Sequence, residues 1–181
     1  MHYRTATESD IPALVKLYKA VAKIPGYIAR LEHEITEEYV SNFIHKSLET
    51  GLIIVGENET DSNELIAEVH GYKPDLQGFA HVLGDITFLV HPDHQNKKIG
   101  RTIFTIFLDE IANNRPDIGK VELFTGENNS RAIGLYQSLG FLIEGRMEMR
   151  YYNPATGGYE ADIPLGWVNP NFEFDGDIPR L

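Results

Sequence analysis

The order of the predicted strands and helices is the feature that most narrows the folds open to this chain. The segments at 52–57, 64–72 and 82–90 read as three strands with no helix between them, which implies an antiparallel run. A long apolar helix then follows Gly100 and leads to the strand "KVELFT", and such a strand–helix–strand unit implies a parallel crossover. The sequence therefore predicts a mixed sheet covered by helices.

The remaining segments complete this prediction. A short strand near the N-terminus and two strands around "NPATGG" give a mostly antiparallel sheet of six to seven strands, flanked by four helices, in the α/β (α+β) class. A chain of 181 residues is long enough for one substantial core, so residues 1–168 are predicted to form a single domain. Residues 169–181 are predicted to be an acidic, loosely held C-terminal tail.

Composition and charge exclude several functions. The chain has 16 Lys and Arg against 27 Asp and Glu, a formal net charge of −11, which disfavours nucleic acid and anionic membranes and favours a cationic small molecule or peptide amine. There is no cysteine, so disulfides, thiolate nucleophiles and cysteine-ligated zinc are excluded. No apolar run approaches the roughly 18 to 20 residues that cross a bilayer, and a cytoplasmic location is expected.

Three basic side chains, Lys97, Lys98 and Arg101, cluster at the start of the helix that follows Gly100. Cations at a helix N-terminus oppose the helix dipole, and each destabilises the helix by up to about 1 kcal/mol. A solvated surface is one explanation of the cluster, and an anion held by the free N–H groups of the first turn is the other. The unfavourable placement favours the anion, although the phosphate motifs GxxxxGK[ST] and GxGxxG are both absent.

Two stretches resemble the core motifs of the GNAT superfamily of N-acetyltransferases: "VHPDHQNKKIG" before a helix, and "NSRAIGLYQSLGF" about thirty residues later. Gln95 and Gly100 match the first motif, whereas Lys98 stands where its first glycine is usual and supplies charge where it removes space. The second motif matches fully, and the resemblance covers residues 1–168. It implies acetyl-CoA as cosubstrate and a cleft between strand 82–90 and the strand "KVELFT", which splay apart.

The resemblance also implies which residues contact the cofactor. The pyrophosphate would meet the amides from residue 95 to residue 101, the pantetheine arm would pair with the backbone of strand 82–90, and Asn129 would lie nearer the thioester. The implied cofactor contacts are Phe88, Leu89, Val90, Gln95, Asn96, Lys97, Lys98, Ile99, Gly100, Arg101, Asn129, Ala132 and Tyr136.

Candidate catalytic residues follow from the chemistry of acetyl transfer. Tyr136 falls on the family's tyrosine and is predicted to stabilise the departing sulfur by a hydrogen bond, although its helical spacing also fits a core aromatic. Glu68 and His70 alternate to one face of their strand and are predicted as the general base, because a carboxylate beside an imidazole tunes it near neutrality. Asp85, Glu122 and a water chain remain alternatives.

The acceptor pocket is expected to form from the connection 23–35, through Tyr27, Arg30 and Glu32, and from the turn 152–159. No metal site is predicted, because His91 and His94 lack a defined third ligand. A homodimer paired through the last strand and tail is one arrangement left open.

These observations predict an enzyme that transfers an acetyl group from acetyl-CoA to a primary amine by direct attack in a ternary complex. A non-catalytic acyl-CoA-binding module is the first alternative. A nucleotide phosphotransferase with an atypical loop is the second.

Overall fold

The computed structural model describes residues 1–24, 26–61, 64–153 and 156–173, which form eight strands and four α-helices. The strands are β1 (Tyr3–Thr5), β2 (Leu52–Glu57), β3 (Leu65–Tyr72), β4 (Val82–Val90), β5 (Lys120–Gly126), β6 (Leu142–Ile143), β7 (Met147–Asn153) and β8 (Gly158–Val168). The helices are α1 (Ile11–Ala22), α2 (Glu37–Thr50), α3 (Ile99–Asn114) and α4 (Ser130–Ser138). The predicted fold class is confirmed, with eight strands instead of six to seven.

Helix boundaries follow the local signals in the sequence. Thr36 caps α2 by accepting a hydrogen bond from the backbone N–H of Tyr39 at 3.1 Å. The stretch before α1 forms a capping box in which the backbone N–H of Thr7 donates to Asp10 at 2.8 Å. Past the end of α4, Gly140 adopts a φ of 95°, a conformation that glycine reaches without strain.

The sheet runs in the order β1-β2-β3-β4-β5-β8, and among the described strands only the β4–β5 pair is parallel. Helices α1 and α2 pack on one face of β2, β3 and β4 around buried side chains such as Leu14, Phe43 and Ile53. Helices α3 and α4 pack on the other face, where Phe104, Phe107 and other apolar residues are fully buried. The sheet therefore separates two apolar cores.

Strands β4 and β5 diverge after a short contact. They pair only at Val82–Lys120 and Leu83–Val121. In β4 a bulge interrupts the pairing with β3 between Thr87 and Gly84, and Asp85 inside it has a φ of 49°. A bulge bends its strand and increases the local twist, so the rest of β4 turns away from β5. This confirms the splayed central strands.

The segment 141–152, expected to be one strand, is divided between β6 and β7. Residues 144–146 lie outside regular strand structure, and β7 bulges again at Met149, whose φ is 53°. Both short strands pair with the same side of β8, and β5 pairs with the other side. The last strand is therefore inside the sheet, with strand partners on both of its sides.

The first residues after β8 are held by the domain. Asn169 is 3% exposed, and its Nδ2 donates to the carbonyl of Ile118 at 2.8 Å. The ring of Phe172 packs near His81, with ring centroids 6.4 Å apart. Asn169 and Phe172 thus contact the domain, and residues 174–181 of the predicted tail lie outside the described residues.

Candidate active site

A cleft of about 1050 Å³ opens where β4 and β5 diverge. Its walls are β4, the first turn of α3, the end of β5, α4 and the strands β7 and β8, and the loop of residues 26–29 covers one side. Beyond Leu83 the edge of β4 that faces β5 has no strand partner among the described residues. Backbone groups on that edge are therefore available to an extended ligand.

The first turn of α3 presents an anion site at one end of the cleft. The backbone N–H groups of Ile99, Gly100 and Arg101 precede the first intrahelical hydrogen bond, and all three residues line the cleft. Lys98 takes a φ of 62°, the left-handed conformation that glycine adopts most easily. A side chain at Gly100 would bring its Cβ within 2.8 Å of the Phe88 ring, so glycine is needed there for close packing.

Basic side chains surround this turn. Lys98, Arg101 and Arg131 all line the cleft. Arg131 donates to Gln95 Oε1 at 3.1 Å, and Arg101 donates to Ser138 Oγ at 2.6 Å, which orients both guanidinium groups. This end of the cleft has the charge and the free donors that a pyrophosphate requires.

Tyr136 of α4 lines the cleft from a nearly buried position. It is 7% exposed, and its ring packs edge-on against Phe104 with centroids 5.4 Å apart. Burial raises the pKa of Tyr136 well above its usual value, so the phenol stays protonated. Within the described residues its hydroxyl has no hydrogen-bond partner, and the residue lines the cleft, so the hydroxyl is free to donate to a ligand.

Carboxylates occupy the opposite wall, on β8. Glu160 and Asp162 are the acidic residues among the cleft-lining residues that the structure describes. Burial raises the pKa of Asp162, Glu160 raises it further, and Arg150 at 4.0 Å opposes the shift. The Glu160 carboxylate accepts a hydrogen bond from Asn153 Nδ2 at 2.7 Å. The cleft is therefore basic at the α3 end and acidic along β8.

A scan against known protein families matches residues 15–141 to the acetyltransferase (GNAT) family. The chain belongs to this family. The match spans the loop of residues 26–29, the splayed strands β4 and β5 and the helices α3 and α4, all of which contribute residues to the cleft.

Individual relatives agree with the family. The L-amino acid N-acyltransferase MnaT of Escherichia coli is 26% identical over 154 residues, which cover 81% of this chain and 83% of that protein. The structure of yncA from Salmonella typhimurium with its cofactor acetyl-CoA superposes with a TM-score of 0.81 at 18% identity, covering 99% of both chains. A ribosomal-protein-alanine N-acetyltransferase from Brucella melitensis gives a TM-score of 0.78 at 19% identity, covering 93% and 99%.

Acetyl-CoA is the cosubstrate of this GNAT acetyltransferase, and the cleft fits it. The basic end around α3 suits the pyrophosphate, and the unpaired edge of β4 suits the amides of the pantetheine arm. Every predicted cofactor contact except one lines the cleft. The exception is Lys97, which lines a separate depression with Tyr3 and Thr102.

The predicted base pair is brought together but lies away from the cleft wall. His70 Nδ1 and Glu68 Oε1 are 2.8 Å apart, and the two residues are 2% and 0% exposed. Neither lines the cleft, unlike Thr87, which pairs with His70 across β3 and β4. The role of the pair as a base stays a prediction.

Of the residues predicted to form the acceptor pocket, some line the cleft and others do not. Tyr27 lines the cleft, and its hydroxyl donates to Gln95 Oε1 at 3.4 Å. Arg30 stacks over the Tyr39 ring at 3.9 Å, and Glu32 faces Lys23 at the surface, so neither lines the cleft. In the turn 152–159, Asn153 reaches the cleft and residues 154 and 155 lie outside the described residues.

Some cleft residues were missed by sequence reasoning. Arg131 repeats the signal used at α3, a cation in the first turn of a helix. Glu160 and Asp162 alternate with the buried Ala161 and Ile163, which assigns them to one face of β8. That alternation does not reveal that the face borders a cleft.

Metal and membrane sites have no structural counterpart in the described residues. No three His, Asp or Glu side chains there come together in a way that could hold a metal ion. None of the helices described is long and apolar enough to span a bilayer.

Proposed function

We propose that this acetyltransferase transfers the acetyl group of acetyl-CoA to a primary amine of a small molecule or a peptide, by direct attack in a ternary complex. The observation that carries the proposal is the charge distribution of the cleft. Basic groups lie at the α3 end and two carboxylates lie along β8, so one cleft offers places for an anionic cofactor and a cationic amine. Because the chain has no cysteine, no cysteinyl acetyl-enzyme can form on it.

The reacting groups meet between these ends. Acetyl-CoA supplies the thioester, and its carbonyl oxygen needs a donor as negative charge develops. N–H groups on the unpaired edge of β4 near Phe88 are suited to that position. The Tyr136 hydroxyl, which is protonated and has no hydrogen-bond partner among the described residues, is suited to stabilise the departing sulfur.

The acceptor side supports a cationic amine. Asp162 and Glu160 face the same side of the sheet as Phe124, an aromatic ring at the cleft wall, and Tyr27 approaches from the covering loop. A carboxylate attracts an ammonium group, and the net charge of −11 strengthens that attraction at long range. The names of the relatives include both an L-amino acid and a ribosomal-protein alanine, so both classes of acceptor are candidates for this chain.

A homodimer in the cytoplasm remains part of the proposal. The outer edge formed by β6 and β7 exposes Leu142, Ile143 and Met149, and apolar side chains on a sheet edge favour association. Light scattering of the purified protein tests it, because a monomer at high concentration would contradict the dimer.

An amine-panel assay that detects free coenzyme A tests the activity. Diamines, L-amino acids and peptides with a free N-terminus are each supplied with acetyl-CoA, and the expected result is acetylation of at least one class. Thermal stabilisation by acetyl-CoA and by ATP is compared in parallel. Acetyl-CoA binding without transfer to any amine would indicate a binding module, and preferential stabilisation by ATP would indicate a phosphotransferase.

A further inference from the structure

A buried polar network lies on the face of the sheet that α1 and α2 cover. Glu68 and His70 project from β3, and Tyr18 approaches them from α1. The Tyr18 hydroxyl donates to Glu68 Oε2 at 2.7 Å, and His70 Nδ1 lies 2.8 Å from Glu68 Oε1. The imidazole stacks on Phe43 of α2, with centroids 4.1 Å apart and planes 4° apart. All three polar side chains are almost completely buried.

The network determines which nitrogen of His70 carries the proton. A carboxylate can only accept hydrogen bonds, so Nδ1 is the donor to Glu68 and Nε2 of the neutral ring is an acceptor. Nε2 has no partner among the described residues. Among the described residues, Ser47 Oγ is the side-chain atom that is fully buried and has no hydrogen-bond partner. Nε2 of His70 also lacks a partner but is not fully buried, so it still contacts solvent. A nearly buried imidazole thus keeps one bare nitrogen within reach of water.

His70 pairs across the sheet with a residue of the cleft wall. His70 is directly opposite Thr87 in the β3–β4 pairing, and Thr87 lines the cleft. Directly opposite residues in an antiparallel pair have Cβ atoms about 4.5 to 5.5 Å apart. The imidazole is therefore one strand away from the cleft, and one water or the Thr87 hydroxyl spans such a separation.

Stability alone is a weak reason for this arrangement. Buried ionic networks are often no more stable than apolar side chains of similar volume, because desolvation offsets their mutual attraction. The surrounding core of Leu17, Val40, Phe43 and Leu89 is apolar and would accept such a replacement. An imidazole nitrogen without a hydrogen-bond partner does not stabilise the folded state, so its presence requires another explanation.

We propose that Tyr18, Glu68 and His70 form a proton-accepting relay, in which His70 Nε2 receives the proton of the acceptor ammonium through one water or the Thr87 hydroxyl. Glu68 holds the imidazole and stabilises its positive charge. Tyr18 is a positioning residue that orients the Glu68 carboxylate. This proposal rests on the proposed acetyl transfer to an amine.

The transfer conserves protons and electrons. The ammonium releases one proton to Nε2, and the nitrogen lone pair then forms the C–N bond with the thioester carbonyl carbon. The C–S bond breaks, the electron pair leaves on sulfur, and the second proton of the attacking nitrogen goes to that sulfur. His70 returns its proton to solvent, so each turnover releases one proton net.

Other titratable groups face the relay from the elements around it. They are Tyr39 of α2, Tyr72 of β3, Asp85 of β4 and Arg30 of the loop that stacks over Tyr39. Burial and the nearby Asp85 raise the pKa of Tyr72, and Asp85 makes no hydrogen bond to His70 among the described residues. Glu68 is therefore the carboxylate in direct contact with the imidazole in this cluster.

The decisive test compares two acceptors that differ in their need for a base. A primary alkylamine is protonated at pH 7, whereas an alkoxyamine of the same length is uncharged there. In His70→Asn we expect kcat/KM to fall by about 100-fold or more for the alkylamine and by less than about 5-fold for the alkoxyamine. His45→Asn, at a surface histidine paired with Glu8, is the matched control and should leave both values unchanged.

Tyr18→Phe tests the positioning residue. We expect a loss of about 10-fold for the alkylamine, with KM for acetyl-CoA unchanged and the acidic limb of the pH profile displaced. Equal losses for the two acceptors in His70→Asn would overturn the relay while leaving acetyl transfer intact. No transfer by the wild type to any acceptor would instead refute the proposed function, and the relay with it.

A spectroscopic measurement keeps the test independent of variant folding. The imidazole 15N shifts of His70 in the wild type report which nitrogen is protonated at neutral pH. A proton on Nδ1 and a bare Nε2 are expected, and the opposite tautomer would overturn the relay. Glu68→Gln should weaken this preference, because an amide can also donate to Nδ1.

Discussion

The Tyr136 hydroxyl can be removed with little effect on the fold and a large effect on turnover. It has no hydrogen-bond partner in the part of the chain described, and the ring keeps its contacts with Phe104 and Phe141 in Tyr136→Phe. The free energy of unfolding should change by no more than about 0.5 kcal/mol. For a chain of this length that is a shift in Tm of about 1 to 2 °C.

The effect on kcat follows from the charge on the leaving group. A hydrogen bond to a charged atom contributes about 1.5 to 3 kcal/mol. Losing it in the transition state should lower kcat by about 10- to 150-fold, with the Kd for coenzyme A unchanged. The assay measures thiol release at saturating acetyl-CoA, and calorimetry measures the Kd. Tyr159→Phe, at an exposed ring, is the matched control.

Two results would refute this reasoning. A kcat above half the wild-type value would show that the hydroxyl does not act on the departing sulfur. A large rise in Kd with normal kcat would show that Tyr136 serves cofactor binding instead.

Three further changes test other parts of the structure. Lys98→Gly should raise Tm by about 2 to 4 °C, because it removes the conformational cost of about 1 kcal/mol of a left-handed non-glycine residue. Lys97→Gly is the control, because Lys97 does not have a positive φ and its replacement should not raise Tm. Equal shifts of the two variants in a melting assay would contradict this. Asp162→Asn should lower kcat/KM for cationic amines by about 10-fold, since a charged hydrogen bond is lost. Asp109→Asn, at an exposed residue, is the control and should leave kcat/KM unchanged. An unchanged kcat/KM in Asp162→Asn would show that Asp162 is not part of the acceptor site. The two hydrogen bonds from Arg4 lower the pKa of Asp10 in the folded protein. The Asp10 carboxylate therefore stabilises the fold fully at pH values above the ordinary aspartate pKa of about 4. This stabilisation is lost as the pH falls through the lowered pKa. Asp10→Asn should therefore be less stable than wild type at pH 7 and should approach it below pH 4 in thermal melts, and a constant difference would contradict the linkage.

Local patterns were sufficient for most of the fold. The caps at Thr7 and Thr36 and the apolar spacing of α3 specify helices by interactions within a few residues, so they are readable from the sequence. The break between β6 and β7 was not readable, because both segments have strand-like sequences. Their separate pairing with β8 depends on register.

The sequence by itself determined the order of the elements, the basic first turn of α3 and the family motifs around Gly100 and Tyr136, because these depend on neighbours along the chain. Only the tertiary structure decided that Lys98 lines the cleft while Lys97 lines a separate depression, since the left-handed residues Asn96 and Lys98 turn the chain on both sides of Lys97. It also decided that His70 stacks on Phe43 and that Asp162 borders the cleft. The position of His70 depends on which face of β3 packs against a helix, and the position of Asp162 depends on where the bulge at Asp85 opens the sheet. Both are set by contacts between residues that are far apart in the sequence.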